Sequence, residues 1–120
     1  MKKTTEPLPA QLNKALVEAG LQCRKRLWID YHRPITAELT ASRKAMSEVG
    51  KRLLELAQSV FPKGVKIAAE TVAEATDATR EELDKEASVL FGATFEANGV
   101  VVTADILVRH KDGAVDLYEI

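Results

Sequence analysis

The 120-residue sequence is poor in the residues that usually announce a chemistry. Its one cysteine, Cys23, excludes an internal disulfide framework and any zinc site built from cysteines alone. A lone thiol also makes a reducing cytoplasm the expected compartment. No run of about 18 apolar residues occurs, so no transmembrane helix is expected. Lys2 and Lys3 have no apolar stretch behind them, which argues against a secretory signal. The two histidines, His32 and His110, have no partner at ligand spacing. There is no glycine-rich phosphate loop, no His-rich zinc motif and no Ser/His/Asp arrangement.

What is present has the balance of a soluble globular domain, 46% hydrophobic and 29% charged. The net charge of −1 hides an asymmetry. Residues 1–60 hold 11 Lys/Arg against 6 Asp/Glu, and residues 61–120 hold 6 against 12. A basic half joined to an acidic half is compatible with an anion-binding face beside a cation site, and solvated helix surfaces are the plainer reading.

Periodicity predicts an α+β fold, with helices first and then a three-stranded antiparallel meander. Residues 1–9 read as a lead-in. Asn13 caps a helix from Lys14 to Ala19 that Gly20 stops. A second helix runs from Gln22 to Tyr31. A long helix follows from Thr36 to Phe61, with Leu39, Met46, Val49, Leu53, Leu56 and Val60 as its apolar stripe. Val65 to Ala68 reads as a short strand, and Asp77 as the cap of a helix from Ala78 to Leu90. Phe91 to Ala97, Val100 to Arg109 and Ala114 to Ile120 read as strands. Asn98-Gly99 and Lys111-Asp112-Gly113 join them. Residues 1–35 are then a lead-in and basic helical segment, and 36–120 a single core domain that stops inside a strand, as a fragment would.

Asp105 stands out because it is flanked by apolar residues on both sides within Val100–Val108. A buried carboxylate is costly unless it is paired, protonated or bound to a metal. A three-residue loop at Lys111-Asp112-Gly113, with Gly113 left-handed, sets Asp105 directly opposite Glu119, with Cβ atoms about 4.5–5.5 Å apart. A two-residue turn would place the two on opposite faces. Two facing carboxylates repel each other unless they share a divalent cation such as Mg²⁺ or Mn²⁺. Two half-wet edge acids remain the plainer alternative. Gly92, expected across from Asp105, leaves open space there or marks a bulge. Arg24, Lys25, Arg26 and Trp28 mix cations with an aromatic ring, which suits a nucleic-acid backbone and a stacked base. A plain amphipathic helix accounts for them equally well. Glu48 lies off the apolar stripe of the long helix.

The order of helix, Gly99-Val100-Val101-Val102-Thr103-Ala104-Asp105-Ile106-Leu107 and Asp116-Leu117-Tyr118-Glu119-Ile120 resembles the PD-(D/E)XK nuclease superfamily. In particular it resembles the RecB-like branch that includes CRISPR-associated exonucleases with an iron–sulfur cluster. Ala19-Gly20-Leu21-Gln22-Cys23-Arg24-Lys25-Arg26-Leu27-Trp28 looks like the N-terminal segment of that branch, as found in bacterial proteins that carry it ahead of a nuclease core. The resemblance implies a truncated restriction-endonuclease-like core and a parent protein that hydrolyses DNA with Mg²⁺ or Mn²⁺. Asp105, Glu119 and the Ile120 carbonyl would be metal ligands, and Glu48 would stand where the family has a helical histidine or acid. The family's lysine would follow Ile120, so these 120 residues are expected to be inactive. Cys23 matches the first of four cysteines that hold a 4Fe-4S cluster in the parent protein, and one thiolate holds none. A non-catalytic module that binds nucleic acid or protein on a degenerate nuclease fold is the rival reading, and a purely structural α/β domain is a third. The unprotected strand at residues 114–120 further predicts self-association, as a two-fold homodimer.

Overall fold

Short side chains fix where the helices begin. In the computed structural model, which describes residues 11–33 and 41–120, β1 (Leu12–Asn13) leads directly into α1 (Lys14–Gln22). The Asn13 side chain accepts from Leu16 N–H at 3.0 Å, an N-cap that satisfies one orphan donor. Cys23 is an extended residue, and α2 (Arg24–His32) starts immediately after it. α3 is Ala41–Ser59, β2 Val65–Lys66, α4 Val72–Asp84, β3 Val89–Ala97, β4 Val100–Arg109 and β5 Val115–Tyr118. Among the described residues the architecture is mixed α+β, four helices with a five-stranded mixed sheet. No helix among the described residues is long and apolar enough to cross a membrane. The expected lead-in, the helix start at Thr36 and the stripe residue Leu39 lie outside the described residues.

The described residues form two units. The first holds residues 11–33 with Glu96–Val101. Its α1 runs through Gly20 rather than stopping there. A Cβ on Gly20 would lie 3.0 Å from Leu27 Cδ2, so the glycine serves close approach of α1 to α2 and not termination. β1 pairs in parallel with the start of β4, Leu12 with Val100 and Asn13 with Val101.

The second unit holds residues 41–95 and Val102–Ile120. β2 is parallel to β3, with Val65 opposite Leu90 and Lys66 opposite Phe91. These parallel pairs make the sheet mixed rather than a simple meander. β3 and β4 are hydrogen-bonded neighbours, and Asn98-Gly99 connects them. Both connecting residues have positive φ, 52° and 76°, as a type I′ turn requires. A two-residue connection leaves only the antiparallel arrangement. β4 and β5 are antiparallel, running from Ile106 opposite Tyr118 to Arg109 opposite Val115.

The core splits over two faces of β3 and β4. Val89, Phe91 and Ile106 pack with Ala57, Phe61 and Val108. Leu90, Ala93 and Leu107 pack with Ile67, Leu83 and Ala87. Leu90 and Ala93 share a cluster although they are three apart, because Gly92 between them is left-handed (φ 76°) and breaks the two-residue alternation of the strand. At Gly64 a Cβ would fall 2.1 Å from Phe91 Cζ, so only glycine lets that ring reach its place.

Two further elements differ from the expected ones. α4 begins at Thr71 and not at Asp77. The Thr71 hydroxyl accepts from Glu74 N–H, and Glu74 Oε2 accepts from Thr71 N–H, a complete capping box. The helix therefore ends at Asp84, and Val89 and Leu90 belong to β3. In α3 the expected stripe is not the buried one. Met46, Val49, Leu53, Leu56 and Val60 are exposed, whereas Ala57 and Phe61 just beyond the helix meet the sheet. The face used is the neighbouring one, which small Ala57 lets approach closely.

Candidate metal site

The β4–β5 turn sets the geometry around Asp105. Gly113 N–H donates to His110 O at 3.0 Å, and His110 N–H donates to Ala114 O at 2.8 Å. The loop is thus Lys111-Asp112-Gly113, with Gly113 at φ 86°. Asp112 Oδ1 accepts from Ala114 N–H at 3.0 Å and fastens the turn. This three-residue loop fixes the β4–β5 register, whose pairs run from Arg109–Val115 to Ile106–Tyr118, and Glu119 and Ile120 lie just past the end of β5. Ile120 N–H then donates to Asp105 Oδ2 at 2.9 Å. Asp105 is half-buried, and Glu119 is exposed.

Across the other edge of β4, Thr94 and Thr103 share a hydroxyl hydrogen bond at 3.1 Å, and Arg109 N–H donates to Ser88 O at 2.7 Å. Gly92 lies on β3 between these two contacts. The missing side chain matters, because Gly92 and Asp105 line one small pocket of about 140 Å³ with Leu54, Gln58, Lys66, Ile67 and Phe91. Gln58 comes from α3 and Lys66 from β2.

Sequence reasoning missed both of these polar residues. Lys66 lies in a two-residue strand whose parallel pairing to β3 has no local signal, and Gln58 lies beside the face of α3 that periodicity did not select. Glu48 is exposed, pairs with Lys51 at 3.5 Å and does not line the pocket. Among the described residues no three His, Cys, Asp or Glu side chains gather as a metal cage.

The basic segment can be described by itself. Arg24 and Lys25 are exposed, as is Trp28. Arg26 donates to Gln22 Oε1 and pairs with Asp30 at 3.4 Å, so its charge is partly engaged. Trp28 and His32 have ring centroids 4.4 Å apart. Cys23 lies between α1 and α2. It is a free, exposed thiol, because it occupies the extended link between two helices.

At the turn end of the sheet, His110 Nε2 and Asp116 Oδ2 are 2.8 Å apart. The hydrogen bond and then the charge of Asp116 raise the imidazole pKa above its usual value near 6.5. A groove of about 500 Å³ lies between Leu83, Phe95, Leu107, Val115 and Leu117. No family model, no curated protein and no solved structure matches this chain.

Proposed function

We propose that the chain is part of a metal-dependent DNA nuclease of the PD-(D/E)XK type, with β3, β4 and β5 as the meander of its core and the cytoplasm as its compartment. One observation carries the reading: just past the β4–β5 ladder the Asp105 carboxylate accepts from Ile120 N–H at 2.9 Å, which supports a site shared by Asp105 and the neighbouring Glu119. The donors at this point are all oxygen (two carboxylates and the Ile120 carbonyl), the set that Mg²⁺ and Mn²⁺ prefer. When bound, such an ion neutralises charge on a phosphodiester and activates water. The residues themselves do simpler work. The Ile120 N–H orients Asp105, leaving its second oxygen available, and Gly92 keeps the approach open. Arg24, Lys25 and Trp28 offer charge and a stacking ring to DNA. Exposed β5 offers an edge through which two copies pair as a homodimer. In the parent protein Cys23 would be one of four ligands to a 4Fe-4S cluster.

Titration with Mn²⁺, followed calorimetrically, tests the reading. One ion per chain is expected, with affinity lost by about tenfold or more in Asp105→Ala, since one carboxylate–cation contact of that strength corresponds to roughly 1.4 kcal/mol. Equal Mn²⁺ affinity in both proteins would overturn it. DNA binding that survives Asp105→Ala and falls with salt would support the non-catalytic binding module, which the exposed Arg24 and Lys25 favour.

A further inference from the structure

We infer that the pocket beside Asp105 receives a phosphodiester group, and that Lys66 and Gln58 are the side chains that bind it. The inference deepens the nuclease reading and rests on it for the cation at Asp105. The pocket measures about 140 Å³ and has room for a tetrahedral oxyanion. Its walls divide by chemistry. Leu54, Ile67 and Phe91 are apolar, while Gln58, Lys66 and Asp105 are the polar groups, one each from α3, β2 and β4. Lys66 and Asp105 line the same pocket, yet among the described residues Lys66 makes no ion pair within 4.0 Å. The opposite charges therefore do not close on each other, and a ligand between them can meet both.

Such a ligand carries negative charge for Lys66 and a cation for Asp105, which is the chemistry of a phosphodiester held with a divalent ion. The Gln58 amide adds a neutral donor. Lys66 is well based for the task. Its strand is in register with β3 at Phe91, and Ile67 N–H donates to Phe91 O at 2.9 Å. Gly92, at φ 76°, keeps side-chain atoms out of the mouth.

Anisotropy of a labelled single-stranded DNA trinucleotide, with and without Mn²⁺, tests the inference, and calorimetry measures Mn²⁺ uptake in parallel. Lys66→Ala is expected to weaken binding of the trinucleotide about tenfold, the worth of one charge-assisted contact, while Mn²⁺ affinity is unchanged. Lys66→Arg should restore binding, and Lys63→Ala, the same charge change outside the pocket lining, should leave it near wild type. Equal losses in Lys66→Ala and Lys63→Ala would overturn the inference, because general surface charge would then explain both. If Mn²⁺ binds and Lys66→Ala changes nothing, the pocket assignment falls and the metal reading stands. If no Mn²⁺ binds but Lys66→Ala still costs tenfold, the metal reading falls and the anion pocket stands.

Discussion

The centre of the sheet and its β5 edge are built from similar residues and live in different environments. In β3, Leu90 is fully buried between strands and covered by Ile67, Leu83 and Ala87. In β5 every residue is exposed, and Leu117 is 61% exposed. Asp105 sits where one regime passes into the other, half-buried on β4 with Ile106 and Leu107 closed beyond it. The contrast explains how a carboxylate survives in an apolar strand. Its neighbours toward the turn carry the core, and its own side chain reaches the Ile120 N–H and an open pocket.

The sharpest way to break that contrast is to truncate the same residue type in both places. Leu90→Ala is expected to lower stability by about 2–5 kcal/mol, and Leu117→Ala by less than about 0.5 kcal/mol, in urea unfolding. Similar losses would mean that β5 is covered in solution. A smaller effect comes from the polar contact of the central strand. The buried Thr79 hydroxyl accepts from Thr94 N–H at 3.0 Å and donates to Ala75 O at 2.7 Å. Thr79→Val keeps the shape and strands the Thr94 N–H, so about 1–3 kcal/mol should be lost in the same measurement.

The smallest effect belongs to the edge. The His110 pKa is raised in the fold, so its pairing with Asp116 stabilises below the ordinary histidine pKa near 6.5 and fades as the pH rises through the raised value. In Asp116→Asn, NMR titration of His110 should show its pKa dropping back toward 6.5. The mutant's stability deficit should be present in mild acid and shrink as the pH rises through the raised pKa. A His110 titration unmoved by the substitution would remove Asp116 as the cause.

The legible parts of the fold were those written in adjacent residues. Asn98-Gly99 and Lys111-Asp112-Gly113 specify their turns through the backbone conformations they tolerate, and the second turn fixes the β4–β5 register up to Ile106 and Tyr118. The sheet beside Asp105 was therefore readable. The rest of the pocket was not, because Lys66 and Gln58 come to line it with Asp105 through a parallel pairing and a choice between two helix faces. In α3 both faces are apolar, and periodicity cannot say that the one with Ala57 fits closest to the sheet. The α4 start was written locally, as Thr71-Val72-Ala73-Glu74, but the acids after Asp77 drew the prediction downstream.

The strand pairings also differ in how far apart their members lie along the chain, and this orders assembly in time. The β3–β4 and β4–β5 connections close over two and three residues. Val65 and Leu90 meet across 25 residues and Leu12 and Val100 across 88, which adds about 1 kcal/mol of closure entropy for the latter pair. Short closures precede long ones, so the β3–β4 and β4–β5 pairings are expected to form first, the β2–β3 pairing next and the β1–β4 pairing last. The strand that carries Asp105 is then expected to be paired before Lys66 arrives on β2.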